Sequence, residues 1–310
     1  MKKAYLIIGA VVLVVAAVLL ATKAGPDRTS RSNKIIVITT IFPLYDMARS
    51  IGSDKAEVTL LLPPGVEAHA FEPKPSDLVK ISEADIFIYT GKFMEPWADD
   101  VLKSAANKKL IVVDASNGVK MISPVVHDAD EPVGSPDPHI WLDFADAKIM
   151  TMNIKAAFTA RDKEHAVFYE QTTAAYAEKL NELDTRYKAT LASCKSKELV
   201  YGGHYAFGYL ATRYGLKYLA AQGLSPDAEP TARDLAALVD QIRKDNIKYV
   251  FYEELTSPKI AETIAHETQS KMLLLNAAHN LARDQFEQGV TFYEIMSKNL
   301  ENLKTGLECR

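Results

Sequence analysis

The sequence predicts an α/β protein of two lobes with mainly parallel sheets, joined by one long rigid helix. Three observations predict it. Short apolar runs alternate with helically spaced segments over residues 33–161 and again over 194–310, the signature of parallel sheets covered by helices on both faces. Between these stretches, no Gly or Pro occurs from His139 to Tyr201. Within that interval Tyr169, Tyr176, Leu180, Leu183, Tyr187 and Leu191 recur at three, four and seven, one stripe of an amphipathic helix. A chain of 310 residues is long enough for two cores.

In chain order, Lys2 and Lys3 precede an uncharged, mostly apolar run from Ala4 to Ala21, with small residues such as Ala24 after it. This is an export signal. At about eighteen residues it approaches the ~20 that span a bilayer. Residues 1–24 are therefore expected to be a signal peptide or an N-terminal membrane anchor. No Cys directly follows the run, which argues against a lipid-anchored lipoprotein. Either way the folded part lies outside the cytoplasm, periplasmic or at the cell surface, in agreement with the positive-inside rule. Residues 25–33 read as a polar linker.

The first lobe then opens with a buried strand at Lys34–Thr39, a helix at Tyr45–Ile51, and a second strand at Glu57–Leu62 running into the turn Pro63-Pro64-Gly65. Ser76–Ala84 is helical, Asp85–Tyr89 a strand, Met94–Ser104 helical and Leu110–Val113 a fourth strand. Asp114–Pro138 is loop-like. Asp143 reads as the cap of the next helix and Trp141 as core. Residues 162–193 form the linking helix, with Asp162 as its expected cap and Glu164 placing negative charge in its first turn. Roughly thirty residues at about 1.5 Å each make a rod on the order of 45 Å. The second lobe has strands at Leu199–Tyr201, Tyr218–Ala220, Tyr249–Tyr252 and Met272–Leu275. Its helices cover Ala206–Tyr214, Thr231–Asp245, Pro258–Thr268 and Val290–Leu307, the second of them capped by Thr231 with Asp234 at the third position.

Hydrophobic content of 48% and charged content of 25% are ordinary for a globular chain. The formal charge of −4 moves to about −7 if Lys2, Lys3 and Lys23 leave. Lys and Arg are scattered without a basic stripe, so nucleic acid is not a partner. A monomer is expected. The two cysteines, Cys194 and Cys309, read as one disulfide in an oxidising compartment. Each stands alone without a neighbouring ligand type, which argues against a thiolate metal site.

Seven histidines are present. His165 and His266 lie among polar helical residues and read as solvated; His127 reads as a surface residue of the long loop. The other four, His69, His139, His204 and His279, sit beside Gly or Pro or just after a strand, where open α/β sheets bind ligands. Two precede the rod and two follow it, which suggests a metal held between lobes. No zinc-finger or HExxH spacing occurs, so taken singly each is as readily an ordinary loop residue. Glu253 and Glu254 follow a strand and are open between orienting a ligand and entering a helix. Glu67 and Glu72 flank His69 and read as rim residues.

Several long motifs carry a resemblance: Pro63-Pro-Gly65, then His69-Ala-Phe-Glu-Pro73-Lys-Pro-Ser-Asp77; Asp137-Pro-His139-Ile-Trp-Leu-Asp143; Gly203-His204-Tyr-Ala-Phe-Gly208-Tyr-Leu; Gly223-Leu-Ser-Pro226 with Glu229-Pro230-Thr; and Glu253-Glu-Leu-Thr-Ser257-Pro-Lys. In their order they resemble the solute-binding proteins of zinc and manganese ABC importers, the ZnuA/TroA type, over Lys34 to Leu307. The resemblance implies one metal in the cleft between two lobes and, as partners, an ABC permease and its ATPase. His69, His139 and His204 fall on the family's first three ligand positions. A carboxylate or water is commoner at the fourth, and here His279 is the expected occupant, with Asn276 as the alternative. Many zinc-type members carry a His-rich tract in the long loop; this chain has only His127 there.

Chemistry supports Zn²⁺ independently, because imidazole suits Zn²⁺ whereas Mn²⁺ prefers oxygen. Four imidazoles form a closed tetrahedral shell, which favours binding over catalysis. Because the rings must be unprotonated, affinity is expected to fall through the ~6.5 region typical of histidine. The alternatives are a manganese or iron receptor of the same fold, or an exported zinc hydrolase with three histidines and a bound water.

Overall fold

The computed structural model describes residues 34–104, 107–123, 135–227 and 230–310. Residues 35–310 form one compact unit built on two four-stranded sheets. In the first, β1 (Ile35–Thr39) lies between β2 (Ala56–Leu60) and β3 (Ile86–Tyr89), and β4 (Ile111–Asp114) pairs with β3; all pairings are parallel. The second repeats that order. Its strand β5 (Glu198–Tyr201) lies between β6 (Lys217–Ala220) and β7 (Tyr249–Tyr252), with β8 (Lys271–Leu274) on the far side of β7. The apolar run of β1 buries Val37 and Ile38 on opposite faces, as a sheet covered on both sides requires.

Helices of the first lobe are α1 (Phe42–Gly52), α2 (Pro75–Glu83) and α3 (Ala98–Ser104). Helix α1 starts earlier than its apolar spacing suggests, because Pro43 occupies the first turn, where a missing N–H leaves nothing unpaired. Helix α3 starts later than expected, at Ala98 rather than Met94. The residues ahead of it turn around Glu95. This buried carboxylate accepts the amides of Thr90 (3.0 Å) and Gly91 (3.1 Å) and the hydroxyl of Thr40. Burial pushes the Glu95 carboxyl up to about 7, against the pull of those donors.

Two helices fill the interval without Gly or Pro, as expected. Helix α4 (Phe144–Arg161) is capped by Asp143, whose carboxylate accepts the Ala145 amide at 2.7 Å, as expected. The rod itself, α5, runs from Ala166 to Ala192. Asp162 does not cap it. Its carboxylate instead accepts the Tyr169 hydroxyl (2.9 Å) and pairs with His165 Nδ1 (2.7 Å), holding the bend between the helices. The buried stripe of the rod contains all six residues that the spacing identifies, with Thr173 added. It packs against α1 and α4 and against the last helix, α10.

Second-lobe helices are α6 (Gly208–Tyr214), α7 (Ala232–Lys244), α8 (Lys259–Thr268), α9 (Arg283–Glu287) and α10 (Phe292–Gly306). Thr231 caps α7 in the expected reciprocal pair with Asp234, and Thr291 with Glu294 repeats the device on α10. Cys194 and Cys309 are disulfide-bonded, tying the end of the rod to the segment after α10. Among the described residues no helix is long and apolar enough to cross a membrane. The Ala4–Ala21 run and His127 lie outside them.

Candidate metal centre

The eight described strands are parallel within their sheets, so each sheet gathers its outgoing loops at one edge. Beyond β2 the turn at Gly65 takes φ +86°, where a Cβ is disfavoured, and leads to His69. His139 precedes the 3-10 turn Ile140–Leu142 that enters α4. Gly202 and Gly203 link β5 to His204, and both are needed. A Cβ at Gly202 would lie 2.6 Å from Ala261 Cα, and one at Gly203 2.6 Å from the Glu253 carboxylate. His279 follows β8.

These four rings, and no others among the described histidines, come together. Their candidate ligand atoms all lie within 4.8 Å of one another. The ring centroids of every pair are 4.9–5.4 Å apart. Near-equal separations among four points define a tetrahedron. His139 Nε2 is 3.3 Å from His69 Nε2 and 3.2 Å from His204 Nε2. A tetrahedral shell at about 2.0–2.1 Å from the ion has N···N edges of about 3.3–3.4 Å. His279 Nε2 is buried with no hydrogen-bond partner, which a structure does not tolerate without reason. His266 is exposed and His165 is engaged by Asp162, so both stay outside the site.

Two carboxylates aim the rings. Asp137, fully buried, bonds His139 Nδ1 at 2.7 Å and also accepts the His139 amide at 2.9 Å. Glu253, also buried, bonds His204 Nδ1 at 2.8 Å through Oε1 and at 2.9 Å through Oε2. Each fixes its ring so that Nε2 faces the other imidazoles. The sequence left Glu253 undecided and passed over Asp137. A carboxylate two residues ahead of a candidate ligand was the available signal. Trp141, expected as plain core, is buried but also contributes: its N–H donates to the Ala277 carbonyl (2.8 Å), and its ring meets His139 and His279 edge-on.

Burial, followed by the neighbouring imidazoles, holds His69, His139 and His279 well below the usual histidine range. They therefore present lone pairs at neutral pH. Burial pushes Asp137 up, with the His139 amide pulling it back. A narrow opening beside His279 is lined by Val66 and Glu67 on one side and by Glu254 and Leu255 on the other. Burial, with the adjacent Glu253 charge, raises the Glu254 carboxyl to about 8.

Glu253→Gln is expected to weaken metal binding by about 10–100-fold, the usual cost of losing a ligand's carboxylate partner. Zn²⁺ titration against a chromogenic chelator checks this, and an unchanged affinity would refute the orienting role.

Among known proteins, the family model described as "Zinc-uptake complex component A periplasmic" matches residues 37–306. The high-affinity zinc uptake system protein ZnuA of Bacillus subtilis is 36% identical over 294 residues, covering 93% of this chain and 91% of that protein. The zinc-binding protein AdcA of Streptococcus pyogenes is 34% identical over 287 residues, covering 87% of this chain and 56% of that longer protein. The crystal structure of the Zn(II)-bound ZnuA-like domain of Streptococcus pneumoniae AdcA superposes with a TM-score of 0.77 at 34% identity, covering 89% of this chain and 99% of that one.

Proposed function

The chain belongs to the zinc-uptake complex component A family and is an extracytoplasmic zinc-binding receptor, and from that premise we propose that His69, His139, His204 and His279 together hold the Zn²⁺ it carries. Receptors of this family work with an ABC permease and its ATPase. This chain delivers its ion to such a permease. The observation that carries the ligand assignment is the near-regular tetrahedron of rings, with the otherwise unpartnered Nε2 of His279 at one corner.

Donor chemistry favours Zn²⁺. All four donors are imidazole nitrogens, whereas Mn²⁺ seeks carboxylate and carbonyl oxygen. Four rings also leave no coordination position for an activated water, which a hydrolase requires. The ion is therefore cargo. Protein purified without added metal, then offered Zn²⁺ and Mn²⁺ in competition, is expected to retain Zn²⁺. Preferential retention of Mn²⁺ would overturn the proposal.

Acid sensitivity follows from the environment of the rings. Only the unprotonated form binds metal, and burial lowers the proton affinity of three of the four. Proton competition thus begins below ~6.5 and not through it, the point expected of ordinary histidine. Chelator competition from pH 8 to 5 is expected to show level Zn²⁺ affinity down to about 6.5 and a fall beneath it. A decline already under way above pH 7 would contradict this.

A further inference from the structure

By chain order His279 belongs to the second lobe, because it follows β8. Its hydrogen bonds place it elsewhere. The His279 carbonyl accepts the Phe42 amide at 3.0 Å, at the start of α1. The Leu281 carbonyl accepts the Gly65 amide at 2.7 Å. Asn280, 1% exposed, donates through Nδ2 to the carbonyls of Pro63 (2.7 Å) and Val66 (2.9 Å), and its Oδ1 accepts the Leu281 amide at 2.9 Å. With the Trp141 bond to Ala277, residues 277–281 are stitched to the first lobe. Most of the stitches end on Pro63, Gly65 and Val66, in the loop that carries His69.

The last anchor to the second lobe lies just upstream. Asn299 of α10 accepts the Asn276 amide at 2.9 Å and donates to the Asn276 carbonyl at 2.7 Å. In the turn that follows, Ala278 takes a left-handed φ of 59°, and its amide donates to Asn276 Oδ1 at 2.6 Å. The chain changes allegiance there. His204 does not. Its ring and amide are held by Glu253, and the next amide, that of Tyr205, donates to the Gly223 carbonyl; both partners are in the second lobe. His139 follows the Asp137 amide bond to Ile122 and runs into α4. Its segment meets the second lobe at the Tyr209 hydroxyl, which accepts the Ile122 amide and donates to the Asp137 carbonyl.

We propose that Asn280 is a positioning residue that locks His279 to the first lobe, so that the site consists of three imidazoles on one body and His204 alone from the other. This rests on the four-histidine reading and deepens it: parting the lobes withdraws one ligand, not two. Loss of the Asn280 donor frees the loop and lets His279 drift.

Two measurements on the full chain test it. Hydrogen exchange on metal-free protein is expected to show the Phe42 and Gly65 amides as protected as in the Zn²⁺-loaded protein. Loss of that protection on metal removal would overturn the proposal, whatever happens to any variant. Asn280→Asp keeps size and removes the donor. It is expected to raise the Zn²⁺ dissociation constant about 10–100-fold and to weaken the tetrahedral visible bands of the Co²⁺-substituted protein. In a His279→Ala background the same substitution is expected to change affinity within roughly twofold, because it acts through that ring. Equal losses in both backgrounds would overturn the proposal. Wild-type protein titrated alongside separates the readings: failure of the wild type to bind Zn²⁺ refutes the ligand set, whereas normal wild-type binding with an indifferent Asn280→Asp refutes only the lock.

Discussion

His279→Ala is expected to lower Zn²⁺ affinity by about 10²–10³-fold while the protein stays folded. Apparent binding energies of about 10–16 kcal/mol for four-ligand zinc sites, divided among the ligands, give about 2.5–4 kcal/mol for one of them. The fold should survive because the loop is held by its backbone and by Asn280, not by the ring. The ring nitrogen that faces the other histidines has no other partner to strand. By contrast, truncating His139 or His204 would leave Asp137 or Glu253 buried without the ring it holds, mixing a stability loss into the result. Competition with a chelator of known strength measures the change. A loss under about threefold would remove His279 from the ligand set and make the fourth position open to water. Hydrolytic activity in the unaltered protein, whose four rings leave no place for an activated water, would revive the enzyme reading.

Replacing both cysteines, Cys194→Ser with Cys309→Ser, is expected to cost about 3–5 kcal/mol of stability and to leave Zn²⁺ affinity unchanged. The bridge spans 115 residues, and closing so long a loop removes much of the entropy of the unfolded chain. Its place in the fold explains the second half of the expectation. Cys194 precedes β5, so the bridge sits at the opposite end of that strand from His204. Around it, the Lys195 amide donates to the Glu308 carbonyl (3.4 Å) and the Ser196 amide to the Leu307 carbonyl (3.2 Å). Denaturant unfolding of the double variant beside the oxidised parent is the measurement. A difference below about 1 kcal/mol would mean that these backbone bonds hold the terminus unaided.

The fold was readable because its signals are local. Apolar runs such as Ile35–Thr39 and Tyr249–Tyr252 permit little but buried strands, and Thr231 with Asp234 announces a helix start by chemistry alone. The boundaries slipped where a distant partner decides them. Glu95 draws in the amides ahead of α3, and Asp162 serves Tyr169 and His165 instead of starting the rod. The site was readable only in part for the same reason. The four histidines carry no mutual spacing; their places beside Gly or Pro or just after a strand set them apart from the other three, and the resemblance then made them a ligand set. Glu253 acts across space on a ring 49 positions away, which no periodicity reports, whereas Asp137 stands two residues from His139 and was open to a local reading. The Asn280 stitches join residues more than two hundred positions apart, which a single sequence does not betray.

The rod packs against helices of both lobes, and the apolar side chains around it form one continuous cluster, from Ile35 through Tyr187 to Leu307. The consequence concerns cooperativity. Neither half can melt without exposing the face on which the other depends, so heat should drive a single all-or-none transition. Fragments cut on either side of the rod should not be autonomous folding units.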